Sequence, residues 1–332
     1  MLSVRSPRRR SAPLVLGVLV VLALVAALLW RPLVGSDDRV VGSVTLSTGV
    51  NSGVYAKYGQ LLQGQLANDA PALDMALRPS VGSLENLARL ASGEADYAIA
   101  TADSIAVYRS EGREGADRLR ACARLYDDYI QLVVPAGSPV RRTEDLAGLR
   151  VGVGQDRSGV QLVTRELLAA AGLDMDRDVD AARAGIDDMP RMLEAGRIDA
   201  FFWSGGLPTT AVARLSSYLD IRLVPLGDLL PELSERGPYT EYYRAAVMPP
   251  DAYPEISDSQ VVDTIAVANL LVTTEEADPA IAEEITRSVI NGRDRIGRQV
   301  HAAQRVDLRT AIYTQPLELH QGARDYYRSV KS

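Results

Sequence analysis

One cysteine, Cys122, occurs in 332 residues. No intramolecular disulfide can form, and no thiolate metal site can be built. Flanked by Ala121 and Ala123, it reads as a small apolar core residue rather than a nucleophile. Histidine is nearly as scarce. His301 and His320, both late in the chain, are too few for a histidine-rich metal centre. The sequence has no Ser-His-Asp order, no Gly-x-Ser-x-Gly elbow and no metal-ligand cluster, which argues against an enzyme. No P-loop ending is present, and no G-x-G-x-x-G occurs at the strand-to-helix turns. Neither a nucleotide nor any other cofactor is expected. Beyond the N-terminus there is no long basic run, and the formal net charge is −7. Duplex binding needs a clustered positive face, so nucleic acid is not expected as a partner. An acidic total does not forbid an anionic ligand, because a site can be locally positive.

What is present suits a globular chain: 47% hydrophobic and 24% charged residues, enough for two domains of ordinary size after a short leader. Arg5, Arg8, Arg9 and Arg10 precede an uncharged apolar run from Leu14 to Trp30, closed by Arg31-Pro32. The run lies at the lower limit for spanning a bilayer. A cleaved signal peptide would start the same way. The nearest small-residue site, Val25-Ala26-Ala27, is followed by more apolar residues, so an uncleaved anchor is the preferred reading. No cysteine stands near it to carry a lipid. The arginines should stay cytoplasmic and place the rest outside. Residues 1–38 are therefore read as a membrane anchor or signal segment with its linker.

After the linker the chain states one plan twice. Val44–Thr48 is β-prone and runs into the turn Gly49-Val50-Asn51-Ser52-Gly53; a helical pattern follows through Val54, Tyr58, Leu61, Leu62 and Leu66. A second helix carries Leu84, Leu87 and Leu90, with Ser83 as candidate N-cap and Gly93 as stop. Asp96–Ala100 is the next strand. The order recurs as strand Arg150–Val153, turn Gly154–Gly159, helix Val160–Ala171, helix Met189–Ala195 and strand Asp199–Trp203. Ser52-Gly53-Val54 matches Ser158-Gly159-Val160 at an offset of 158 − 52 = 106. Leu90-x-x-Gly93-x-x-Asp96 matches Leu193-x-x-Gly196-x-x-Asp199 at 196 − 93 = 103. Two ordered matches at nearly one offset indicate two similar βαβ-type lobes. Each puts a Ser-Gly turn at a strand's C-terminal end, where open α/β sheets bind ligands.

Such turns suit anions. A helix start has free backbone N–H groups and a partial positive charge, and glycine allows close approach. A carboxylate or phosphate facing both turns would touch both lobes. The candidate contacts are Gly49, Asn51, Ser52, Gly53 and Tyr55 in the first turn and Arg157, Ser158 and Gly159 in the second. Ser52 and Ser158 are open to a second role as plain helix caps, and Arg157 to one as a solvated loop residue. Thr101 and Asp103 follow a strand end and suit either a ligand contact or a cap. Tyr126, Trp203, Ser204 and Gly205 stand at motif ends that should border a cleft, with ordinary core packing or a simple turn as the alternative.

Several ordered segments resemble the TAXI family of TRAP-transporter solute receptors. They are Thr48–Tyr55, Gly82–Leu87, Ala91–Asp96, Leu125-Tyr126 with Tyr129–Val133, Asp199–Gly206, and Pro316–Ala323 with Tyr326-Tyr327. The resemblance covers about residue 43 to the C-terminus. It implies a two-lobed α/β fold of the periplasmic-binding-protein type (type II), with a hinge and an inter-lobe cleft. One lobe would be 43–131 plus 228–332 and the other 132–227, with crossovers near Leu132-Val133-Val134 and Val224-Pro225-Leu226. It implies capture of a small carboxylate, an amino acid such as glutamate or a dicarboxylate, and delivery to TRAP permease subunits. The second turn departs from the family's usual Gly-Ser-Gly-Thr, reading Arg157-Ser158-Gly159-Val160, and Thr101 stands where glutamine is frequent. A membrane-anchored sensor passing binding to a signalling partner is the competing reading.

Overall fold

The computed structural model describes residues 40–256, 260–300, 302–303 and 306–331. The apolar segment read as an anchor or signal lies outside the described residues. Among those described, no helix is long and apolar enough to cross a membrane.

The chain runs β1 (Gly42–Ser47), α1 (Val54–Asp69), β2 (Leu73–Arg78), α2 (Ser83–Ala91), β3 (Tyr97–Thr101), α3 (Ala102–Ser110) and β4 (Leu119–Pro135). It continues through β5 (Arg150–Gly152), α4 (Gly159–Ala170), β6 (Asp180–Ala182), α5 (Met189–Glu194), β7 (Ala200–Gly205), α6 (Thr210–Ser216) and β8 (Ile221–Val224). The last part is α7 (Leu230–Ser234), β9 (Tyr243–Met248), β10 (Val262–Thr274), α8 (Pro279–Gly297) and α9 (Gln321–Ser329). Both copies of the repeated plan are present within a residue or two of the expected bounds.

The strands form one sheet in the order β2-β1-β3-β10-β4-β7-β5-β6, with β8 on β4 and β9 on β10. β1, β2 and β3 are parallel at one end, and β5, β6 and β7 are parallel at the other. Two long antiparallel strands join these ends. β4 pairs with β10 from Leu119 to Tyr129, then with β7 and β8 from Tyr129 to Pro135. β10 pairs with β9 through Val262–Val267 and with β3 through Asn269–Val272. Register shifts beside Asn269 and Leu271 bend the ladder where it passes from one end to the other.

The period-2 alternation of strands explains the core. Phe201 and Trp203 pack in one apolar cluster with Met189, Ile186 and Leu215; Phe202, between them, packs in another with Leu132, Val151, Val163 and Leu167. Leu226, Leu229, Leu233 and Tyr243 belong to that second cluster. At the other end of the sheet, Leu46, Tyr58, Leu62, Tyr97 and Val289 fill one face, and Leu87, Ala98, Ile105 and Leu270 fill the opposite one. A sheet covered on both faces accounts for near-continuous apolar strands such as Tyr97–Thr101, every residue of which is buried. Cys122 is buried and free in the cluster of Leu46, Tyr58 and Tyr97. Burial pushes its thiol up to about 12, which fits the inert core role.

Caps fix the helix starts. Ser158 accepts the Gln161 N–H at 3.1 Å, and Asp278 accepts the N–H groups of Ala280 and Ile281 ahead of Pro279. His320, buried, accepts the Gly322 N–H through Nδ1 at 3.1 Å and starts α9. Ser83 is not the cap expected of it. Gly82, at φ 137°, holds the N-cap position, and Ser83 is the first helical residue.

Candidate functional site

The first Ser-Gly turn is held from beneath by a side-chain scaffold. Ser47 donates to Asn86 Oδ1 at 2.7 Å, and the Asn86 amide donates to the carbonyls of Thr48 and Ile99 at 2.6 and 2.7 Å. Ser80 donates to the Thr48 carbonyl at 2.9 Å and accepts the Gly82 N–H at 3.0 Å. The Gly82-Ser83 turn is thereby placed beside the Gly49–Gly53 turn, so the starts of α1 and α2 converge. The second turn is tied by Ser158, whose hydroxyl donates to the Gln155 carbonyl at 2.7 Å while capping α4.

These turns meet. A Cβ on Gly82 would stand 3.5 Å from the Cα of Ser158, and one on Gly159 would stand 3.2 Å from the hydroxyls of both Ser83 and Ser104. Between them lies a cavity of about 60 Å³, bounded by the starts of α1, α2 and α4, the end of β7 and the Gly185-Ile186 loop. At roughly 10–15 Å³ per water it has room for about four to six water-sized groups. No lysine or arginine is among its lining residues. Attraction for an anion therefore comes from the three helix starts.

The cavity brings together Gly49, Gly53, Tyr55, Thr101, Ser158, Gly159, Trp203, Ser204 and Gly205. The Tyr55 hydroxyl donates to Asn269 Oδ1 at 2.5 Å and lies 3.1 Å from Ser83 Oγ. Thr101 donates to Ser104 at 2.8 Å, while its backbone N–H reaches Ser83 Oγ at 3.1 Å. Trp203, only 9% exposed, donates its indole N–H to Thr209 at 3.1 Å.

Five expected residues lie outside the lining. Asn51 and Ser52 are exposed, and Ser52 spends its hydroxyl on Asp187 rather than capping α1, whose N-cap is Gly53. Asp103 is buried behind Thr101, accepting the Tyr243 hydroxyl at 2.7 Å and its neighbour Ser104's N–H at 2.7 Å. Tyr126 is core, its ring 5.7 Å from that of Tyr58. Arg157 points away on an exposed loop with φ 67°, a left-handed conformation costly to any residue with a side chain.

The lining also holds residues that were not candidate contacts, among them Gly82, Ser83, Asp128, Gln155, Gly185 and Ile186. Asp128 is 3% exposed. Its Oδ2 accepts Ser204 Oγ at 3.2 Å, while Oδ1 has no hydrogen-bond partner among the described residues. Burial raises the acid to about 7; the neighbouring Asn269 amide and Ser204 hydroxyl favour its charge but do not offset that burial. A charged residue within a buried strand is the sequence signal that could have found it.

A model of the NMT1-like family matches residues 46–330. Among solved structures, the chain is similar to PhnD1 from Prochlorococcus marinus in complex with methylphosphonate. The TM-score is 0.53 at 12% identity, covering 79% of this chain and 90% of that one. It is similar to a structure described as a periplasmic transporter, with TM-score 0.54 at 11% identity and coverage of 87% and 92%. It is also similar to a protein of Bordetella bronchiseptica RB50, with TM-score 0.51 at 18% identity and coverage of 78% and 75%. These likenesses show the fold: a mixed α/β, two-lobed architecture of the periplasmic-binding-protein type.

Proposed function

We propose that this chain, which belongs to the NMT1-like family, is a solute-binding protein that works outside the cytoplasmic membrane and holds a small anionic metabolite for a membrane transporter. One observation carries the reading. The Ser158-Gly159 start of α4 meets the Gly82-Ser83 start of α2 across a single cavity that Gly49 and Gly53 of the first turn also line, with no lysine or arginine in that lining. Three converging helix starts suit a carboxylate, and a cavity where the sheet's strand order switches is where α/β folds hold ligands.

In this reading, one lobe is 43–131 plus 228–332 and the other is 132–227. β4 and β10 form the crossing, and Leu229, Leu233 and Tyr243 pack against the second lobe. Ligand contact with both turns favours the closed arrangement through its higher affinity for that state. The transporter is of the TRAP type, on the strength of the motif resemblance alone, and the N-terminal segment anchors the protein at the outer face of the membrane.

A thermal-shift screen of the protein with amino acids, dicarboxylates, phosphorylated metabolites and phosphonates tests the reading. A ligand at 100 times its Kd stabilises by about 2.7 kcal/mol, which is several degrees for a chain of this size. A saturable rise with a small anion is expected. No shift with any compound, from protein first freed of bound solute by denaturation and refolding, would remove the solute-binding reading.

A further inference from the structure

The cavity holds one feature that anion capture does not use. Asp128 lies on β4 opposite Val267 of β10, buried from solvent, and it lines the same space as the three helix starts. One of its oxygens accepts from Ser204; the other, Oδ1, makes no hydrogen bond of normal geometry among the described residues, although the Asn269 amide, its own Nδ2 likewise without such a bond, stands beside the acid and favours its charge. A buried carboxylate oxygen without a partner is costly. An acid in an anion-binding cavity would also repel the ligand, unless the ligand brings a positive group to meet it.

We propose that Asp128 is a specificity-determining residue: its free carboxylate oxygen takes a cationic nitrogen of the bound solute, so that deaminated acids of the same shape are refused. This rests on the solute-binding reading of the cavity and adds the ligand's polarity. The solute's carboxylate lies at the starts of α1, α2 and α4, and its ammonium group lies at Asp128 with Ser204 steadying the acid from behind. The small volume of the cavity limits the distance between the two charges to a few bonds. A dicarboxylate would place its second negative group in the one part of the lining that is itself acidic.

The groups facing Asp128 make it the one whose protonation governs binding. Asp103, on α3, is held toward its neutral form by burial. The Tyr55 and Tyr126 phenols are raised above their ordinary value by burial first and then by the charge of Asp128. Asp127, the adjacent residue, is turned to the other side of β4, where it pairs with Arg124 and Arg244. Ammonium binding therefore displaces a proton from Asp128. With the acid near 7, about a tenth is ionised at pH 6 and about nine tenths at pH 8, so affinity rises about tenfold across that range.

The test is calorimetric titration of the full chain with three matched pairs: L-alanine and propionate, L-serine and 3-hydroxypropionate, L-glutamate and glutarate. At least one amino acid is expected to bind, its deaminated partner about thirtyfold more weakly or worse. Asp128→Asn, nearly isosteric and free of the buried charge, is expected to lose the same factor and the pH dependence while melting no lower than the wild type. If a deaminated acid binds as tightly as its amino acid, or if Asp128→Asn binds the amino acid unchanged, the inference is overturned and the solute-binding reading stands. If none of the six binds to protein freed of solute, while the thermal screen yields a different anion, the inference again falls alone. Silence in both removes both.

Discussion

Asp128 allows a quantitative test that needs no ligand. In the unfolded chain the acid has its ordinary value of 3.8, and in the folded protein it stands at about 7. The folded state keeps its proton longer, so between these two values the unfolded state binds fewer protons. Stability then falls as pH rises, by about 1.4 kcal/mol per pH unit at most. The full cost above pH 7 is about 4 kcal/mol, and between pH 4.5 and pH 8 it is about 3 kcal/mol. Asp128→Asn removes this single titration and leaves the others in place, so the difference between variant and wild type cancels their contributions. Urea denaturation at pH 4.5, 6 and 8 should show the variant gaining about 3 kcal/mol on the wild type across the range. A difference that is the same at pH 4.5 and pH 8 would refute the claim that Asp128 is buried and raised.

Other substitutions probe the two turns. Ser158→Ala removes the cap on Gln161 N–H and should lower stability by about 1 kcal/mol, with weaker solute binding; urea unfolding beside a binding titration separates the two effects. Arg157→Gly relieves a left-handed backbone at φ 67° and should leave stability unchanged or raise it by up to about 1 kcal/mol with affinity unchanged. A marked loss of affinity would show that the guanidinium reaches the ligand after all. Ser52→Ala removes the exposed hydrogen bond to Asp187. It should shift the melting temperature little, while weakening affinity by no more than about fivefold, the equivalent of about 1 kcal/mol.

The elements of the two βαβ units were legible because their signals are local. Apolar faces at helical spacing, Gly93, Gly172 and Gly196 as stops, and Ser-Gly turns stand in the sequence beside the structures they form. The repetition pointed to the two Ser-Gly turns, but the approach of Gly82-Ser83 to Ser158-Gly159 left no mark in it. The long strands β4 and β10 were not. Their pairing, Leu119 with Thr274 through Tyr129 with Ala266, joins segments some 140 residues apart, and no local pattern records it. Asp128 went unseen for the same reason. In sequence, Tyr126-Asp127-Asp128-Tyr129 looks like a polar interruption; in the fold, alternation sends Asp127 to two arginines and Asp128 into the cavity. A turn's residue types do not disclose which side chains face inward, and the structure places Ser52 and Arg157 outside the lining. A strand end or motif end does not disclose whether it reaches a cavity wall, and the structure buries Asp103 and Tyr126 outside the lining.

The most direct test of the central claim uses Trp203. It lines the cavity, and the only other tryptophan in the sequence is Trp30 in the N-terminal segment. Titrating the full chain with any solute that raises its melting temperature, while following tryptophan emission, should give a saturable change with the same midpoint, and Trp203→Phe should abolish that change. A solute that stabilises the protein yet leaves Trp203 emission unaltered would bind elsewhere, and the cavity between the two Ser-Gly turns would not be the solute site.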